Sequence, residues 1–162
     1  MKRIYHDDTI LRTLILFVQT ARAALKYADA YFFRKARLSV IKYMVLQILA
    51  THGGIMTPSE IAEWTFTTRH NITTLVNRLK RDGLVSAERN DRDKRFVNIK
   101  LTDKGREVLS EATPAAREAV NQIMLSITQG DAILLEKLLE TLSRNVHYGL
   151  EHVANQASPQ LD

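Results

Sequence analysis

The chain has no cysteine, which excludes a disulfide framework, a thiol nucleophile, a zinc-thiolate site and cysteine-based redox sensing together. It also lacks any apolar run near the ~18 residues that a membrane-spanning helix needs. Lys2 and Arg3 precede Leu14-Ile15-Leu16-Phe17-Val18, but Asp7, Asp8, Arg12 and Gln19 confine the apolar stretch and argue against a secretory signal. The expected compartment is the cytoplasm, with no membrane partner. Signatures of catalysis are missing as well: there is no Gly-rich phosphate loop, no Gly-Lys-Ser/Thr pair, no His-Glu-x-x-His helix and no Gly-x-Ser-x-Gly elbow. We therefore expect no enzyme and no cofactor.

What is present is an ordinary globular composition, 162 residues with 45% hydrophobic and 25% charged, enough for one core and a dimer interface. The net charge is +5 and the pI about 9.6. That charge is not spread evenly. Between Thr67 and Arg106 eleven basic residues face five acidic ones, so this segment alone carries +6 and its flanks are close to neutral. A polyanionic partner is expected at the centre of the chain.

The flanks read as long helices. From Ile10 to Phe33 there is neither Gly nor Pro, and Leu11, Leu14, Val18, Ala21, Leu25, Ala28 and Phe32 recur in steps of three and four, a heptad seam. A second periodic segment runs from Asp131 to about Val153 with Leu135, Leu138, Leu139, Leu142 and Val146 on one stripe, opened by the capping pair Thr128 and Asp131. Asp103 to Ile127 is also helical in pattern, with Pro114 expected to kink or split it. Helices from both ends that flank a basic centre suggest a dimer platform.

The centre consists of shorter pieces. Ser39 is placed to cap a helix through Leu49 that Gly53-Gly54 ends. Thr57-Pro58-Ser59-Glu60 has a capping residue, Pro at the first helical position and Glu at the third, so a short helix Pro58 to Trp64 follows. Thr68 to Asp82 then carries Ile72, Leu75, Val76 and Leu79 on one face, closed by Gly83. Its other face holds Arg69, His70, Thr73, Thr74, Asn77 and Arg78, side chains able to bond base edges or phosphates. Two helices joined by a tight turn, the second polar outside, form a helix-turn-helix. Leu84 to Arg89 and Phe96 to Leu101 read as strands around Asn90-Asp91-Arg92-Asp93-Lys94-Arg95, a cationic hairpin loop suited to phosphates or a narrow minor groove. The expected fold class is mainly α with a small β-hairpin wing: a winged helix-turn-helix lobe (37–106) on a helical dimerisation platform (1–36 and 107–156), followed by a tail (157–162).

These residues resemble the multiple antibiotic resistance regulator (MarR) family of winged helix-turn-helix transcription regulators. Leu38 to Leu46 resembles the family's second helix, and Thr73-Thr74-Leu75-Val76-Asn77-Arg78-Leu79-Lys80-Arg81-Asp82-Gly83-Leu84-Val85 its recognition helix and exit. Asp93-Lys94-Arg95 followed by Leu101-Thr102-Asp103-Lys104-Gly105 resembles the wing and the helix that leaves it. The resemblance covers residues 38 to 110, and the flanking helices by pattern and length. It implies a homodimer on double-stranded operator DNA, most simply a repressor released by a small aromatic or anionic ligand. It implies that Thr68, Arg69, His70, Asn71, Thr73 and Thr74 form the DNA-facing start of the recognition helix, to which the polar face described above adds Asn77 and Arg78. It implies Asp93 and Arg95 as the wing pair, the Asp93 carboxylate orienting the Arg95 guanidinium, and the basic hairpin adds Arg89, Arg92 and Lys94 as wing candidates. Asn90-Asp91 stands where the family commonly has Asp-Pro, and the cysteine of peroxide-sensing relatives is absent.

Two further groups stand out. Tyr27, Tyr31, Arg37 and Tyr43, near the junction of the first two helices, are candidates for a ligand pocket, although core packing explains them too. His147, Glu151 and His152 offer metal-ligand types, but without cysteines or a second cluster no metal site is expected. A winged-helix module that docks a protein, or an activator without a ligand, are the alternatives. A basic rather than apolar central face favours DNA.

Overall fold

A computed structural model describes residues 8–89 and 97–156. The elements are α1 (Thr9–Ala36), α2 (Val40–Thr51), β1 (Ile55–Met56), α3 (Pro58–Trp64), α4 (Arg69–Arg81), β2 (Val85–Arg89), β3 (Val97–Leu101), α5 (Asp103–Ile123) and α6 (Gln129–Gln156). They divide into two units, one ending at Ile123 and one beginning at Met124.

In the first unit, α1 begins at Asp8, whose carboxylate accepts from the backbone N–H groups of Ile10 and Leu11 and so satisfies two orphan donors. The helix packs on α5 and, near its end, on α2. Phe32, Leu38, Val45, Leu46, Leu49, Ile61, Ile72, Val76, Leu79, Ile99, Leu109, Ala112 and Ala119 make one continuous buried core. Each of its large side chains contributes about 1.5–3 kcal/mol by leaving water. This core holds α4 by one face and leaves the other outside.

Local chemistry explains the boundaries, with two departures from expectation. Ser39 makes no side-chain capping bond; the Val40 N–H at the start of α2 donates instead to Asp29 Oδ1 of α1 at 2.9 Å. The cap comes from another helix, a spacing that no local pattern reveals. Pro114 does not divide α5, which is continuous from Asp103 to Ile123. Pro114 is solvent-exposed, so the one missing i to i−4 bond is lost on a face where water can replace it. The helix ends four residues before the expected Ile127, and Met124–Ser126 form a turn.

The sheet is three-stranded and antiparallel in the order β1-β3-β2. The β2–β3 hairpin falls within the two expected strands, with Val85 opposite Leu101 and Arg89 opposite Val97; Leu84 precedes β2, and Phe96 lies outside the described residues. β1, which the pattern did not suggest, pairs Ile55 with Lys100 and Met56 with Ile99. Leaving β3, Thr102 ties down the next helix: its hydroxyl donates to the Gly83 carbonyl at 2.8 Å and accepts from the Gly105 N–H at 3.0 Å.

The second unit is α6 with the turn before it. Thr128 and Asp131 bond reciprocally, Thr128 Oγ1 donating to Asp131 Oδ2 at 2.6 Å and the Asp131 N–H donating to Thr128 Oγ1 at 3.2 Å, the expected helix start. Leu135, Leu138, Leu142 and Val146 remain exposed along α6.

Candidate nucleic-acid interface

α3 and α4 form the helix pair. Thr57 and Glu60 make a capping box: the Thr57 N–H donates to Glu60 Oε2 at 2.6 Å, and the Glu60 N–H donates to Thr57 Oγ1 at 3.3 Å. α3 ends in a Schellman motif, with Phe66 N–H on the Glu63 carbonyl and Thr67 N–H on the Ala62 carbonyl. Thr68 then caps α4, its Oγ1 accepting from the Asn71 N–H at 3.3 Å. This sharp turn sends the start of α4 outward.

α4 buries Ile72, Val76 and Leu79. The structure places all eight recognition-helix candidates, Thr68, Arg69, His70, Asn71, Thr73, Thr74, Asn77 and Arg78, at the exposed surface. Helical spacing sorts them into two rows. Arg69, Thr73 and Asn77 border a groove of about 250 Å³ shared with Thr57, Ser59 and Lys80. His70, Asn71, Thr74 and Arg78 border one of about 390 Å³ on the other flank, shared with Ile41 and Thr67. α4 is thus a polar ridge between two grooves. Thr73 Oγ1 donates to the Arg69 carbonyl at 2.9 Å, which leaves its lone pairs free to accept. The sequence reading omits Ser59 and Lys80; Lys80 lies three residues beyond Asn77 in the same row, a spacing that would have found it.

Of the wing candidates, Arg89 is exposed at the end of β2, and Arg92, Asp93, Lys94 and Arg95 lie outside the described residues. Not all the central positive charge faces outward uncommitted. Lys100 of β3 is paired with Glu88 of β2, Lys104 Nζ donates to the Asp82 carbonyl at 2.8 Å, and the Arg106 guanidinium lies against Gly54. These three cations brace the sheet and the exit of α4.

The ligand candidates divide between packing and surface. Tyr27 and Tyr31 stack along α1 with ring centroids 6.1 Å apart, and Tyr43 packs on Phe32 at 5.0 Å. Arg37 is exposed where α1 ends, with φ 55. None of the four lines either groove beside α4. The Tyr31 hydroxyl is buried without a well-formed hydrogen bond. The Glu118 carboxylate beside it, as acceptor, and then burial push its pKa up to about 12, so the phenol stays protonated. Lys35 lies 5.8 Å from the Tyr31 ring centroid and 3.9 Å from Glu118.

Among the described residues no group of three or more His, Cys, Asp or Glu is arranged to hold a metal. His147 and His152 each place Nδ1 against the carbonyl one turn earlier, that of Ser143 at 2.8 Å and of Tyr148 at 2.9 Å; the Glu151 side chain lies outside the described residues. Among the described residues no helix is long and apolar enough to cross a membrane.

Comparison with known proteins joins this geometry to a family. The model of the MarR family matches residues 38–95, which hold α2, the helix pair and the start of the wing. The transcriptional regulator BldR from Sulfolobus solfataricus is 32% identical, with the match covering 89% of this chain and 99% of BldR at a TM-score of 0.74. The chain belongs to the MarR family of DNA-binding transcription regulators. The HTH-type transcriptional repressor YetL of Bacillus subtilis (strain 168) is 28% identical over 73% of this chain and 71% of its own. A MarR family transcriptional regulator from Streptomyces coelicolor, solved in complex with DNA, shares the fold at a TM-score of 0.78 and 24% identity, over 89% of this chain and 92% of that one. The mainly α winged-helix architecture of this chain is therefore that of MarR regulators.

Proposed function

We propose that the chain is a homodimeric repressor that sets α4 into the major groove of a pseudo-palindromic operator and is released by a small aromatic or carboxylate ligand. The two polar rows on the exposed face of α4, backed by a buried apolar stripe, carry this reading. Thr68, Arg69, His70, Asn71, Thr73, Thr74, Asn77 and Arg78 supply base-edge and phosphate contacts. Arg89 with Arg92, Lys94 and Arg95 follows the flanking backbone or minor groove, Asp93 orienting Arg95. Support for DNA as partner comes from the Streptomyces coelicolor relative solved with DNA, and for repression from the name of YetL.

The dimer reading is supported by apolar surface that a second copy would cover. Leu14, Val18 and Leu25 of α1 are 50%, 44% and 55% exposed, and Leu138 and Val146 of α6 are 55% and 54% exposed, high for side chains in a heptad-like stripe. We assign 1–36 and 107–156 to dimerisation, 37–106 to the DNA lobe, and the cytoplasm as the place of action. The recognition helices would then stand about 34 Å apart and read half-sites ~10 bp apart. The ligand reading is supported by the Tyr31 hydroxyl, shielded from solvent beside Glu118, with Tyr27 and Lys35 nearby.

Binding of the purified protein to its own upstream DNA and to an unrelated duplex, by fluorescence anisotropy at several salt concentrations, tests the reading. Saturable binding to one duplex, with log K falling against log salt by about 0.9 per neutralised phosphate, is expected. Equal weak binding to both, and to duplexes enriched from a random-sequence pool, would overturn it.

A further inference from the structure

The exit of α4 is tied to the rest of the first unit from two sides. Asp82, the C-cap of α4, places Oδ2 2.6 Å from Lys42 Nζ of α2, the two side chains being 37% and 26% exposed. The Asp82 carbonyl accepts from Lys104 Nζ of α5. Gly83, at φ 75, then completes a Schellman motif, with Gly83 N–H on the Lys80 carbonyl and Leu84 N–H on the Leu79 carbonyl, both at 2.9 Å. The entry of α4, by contrast, is held by the local Thr68 cap.

The same first turn of α2 that sends Lys42 to α4 receives α1. Val40, two residues before Lys42, donates its N–H to Asp29 Oδ1 of α1 at 2.9 Å. One turn of helix therefore joins α1 and α4 by two charge-assisted hydrogen bonds. Partly exposed ion pairs add little to stability, but a short bond between two helices adds a directional constraint to the packing that already holds them. The lever is long. α4 has 13 residues and so extends about 20 Å; a tilt of about 10° at its C-terminal end would move its N-terminus by about 3.4 Å, roughly the rise of one base pair.

We propose that Asp29, Lys42 and Asp82 are positioning residues for DNA reading: through the first turn of α2 they set the angle of α4 against α1, and with it the half-site spacing the dimer accepts. The inference rests on the homodimer and major-groove reading given above. None of the three acts by contacting bases; each acts through α4.

The test uses the purified 162-residue chain and a palindromic duplex enriched by it from a random-sequence pool, together with duplexes that have one base pair added or removed between the half-sites. Wild type is expected to discriminate against both altered spacings. Asp29→Ala and Asp82→Asn are expected to remain folded at the assay temperature, to keep the wild-type salt slope, and to lose roughly 2- to 30-fold of that discrimination. The reversed pair Lys42→Asp with Asp82→Lys is expected to recover part of it. Should Asp82→Asn unfold at the assay temperature, Lys42→Gln carries the same expectation and leaves the α4 cap untouched. Wild-type discrimination in the variants, or an equal loss of affinity at every spacing, would overturn the inference. Absence of saturable binding by wild type to any enriched duplex would instead overturn the DNA reading beneath it.

Discussion

The carbonyl oxygen of Leu84 lies 2.1 Å from the point where a Cβ on Gly105 would stand, and Leu101 Cδ1 lies 2.7 Å from it. The first turn of α5 thus rests directly on the backbone that leaves α4, and hydrogen is the one substituent that fits. A side-chain tip can rotate away, but the Leu84 carbonyl cannot without breaking the bond it accepts from the Thr102 N–H at 3.2 Å. Gly105→Ala is expected to destabilise the fold by about 3 kcal/mol through overpacking, read as a lowered midpoint in urea with an unchanged slope. A midpoint equal to wild type would mean that the exit of α4 is free to shift.

Phe66 is the reverse case. It occupies the left-handed position of the Schellman motif that ends α3, with φ 49, where glycine is favoured because a Cβ crowds the carbonyl. Phe66 is 64% exposed, so burial offsets only part of the strain. Phe66→Gly is expected to stabilise the protein by about 1 kcal/mol, measured by the same urea titration. A destabilised variant would show that packing of the ring outweighs the strained backbone.

The Asp82 carboxylate gives stability a pH dependence whose sign is fixed. The bond from Lys42, and the positive charge of Lys42, Arg81 and Lys104 near it, hold its pKa below the usual carboxylate value in spite of partial burial. The folded state therefore binds the Asp82 proton less readily than the unfolded chain. Its contribution is fully present above the unfolded carboxylate range and is lost as pH falls through the lower, folded value. Stability of wild type minus that of Asp82→Asn, followed downward from pH 7, is expected to shrink on the acid side and to stay flat between pH 6 and 8. A difference that does not change with pH would mean that Asp82 acts through its shape rather than its charge.

Much of this architecture can be read along the chain, and the parts that cannot share a physical cause. α4 was legible because Ile72, Val76 and Leu79 mark a buried stripe while the capping Thr68 and the closing Gly83 are local signals. The β2–β3 hairpin was legible through Ile99 and Leu101, buried at alternate positions, whereas Val97, which continues the same alternation, is exposed. β1 was not, because two residues cannot alternate and Ile55–Met56 is a strand through its pairing with β3 alone. The Asp29 cap on Val40 and the Lys42–Asp82 pair join residues 11 and 40 positions apart, beyond any local pattern. On the candidate interface, residue type identified the outward row, but charge alone overcounted: Lys100, Lys104 and Arg106 belong to the central basic segment yet serve the scaffold.

That division of the basic residues yields a prediction about salt. Arg69 and Arg78 are exposed on the two rows of α4, whereas Lys104 holds the Asp82 carbonyl. If the rows meet DNA, Arg78→Ala should lower the slope of log K against log salt by about 1 when its contact is a phosphate, and Arg69→Ala should relax sequence preference by about 1–3 kcal/mol when its contact is a base. Lys104→Met should leave the slope at its wild-type value and act on stability instead, by freeing the α4 exit. Anisotropy titrations of the three variants on one enriched duplex and one scrambled duplex separate these outcomes. A Lys104→Met slope reduced as far as that of Arg78→Ala would place Lys104 on the phosphate backbone, and the interface would then extend from α4 to the start of α5.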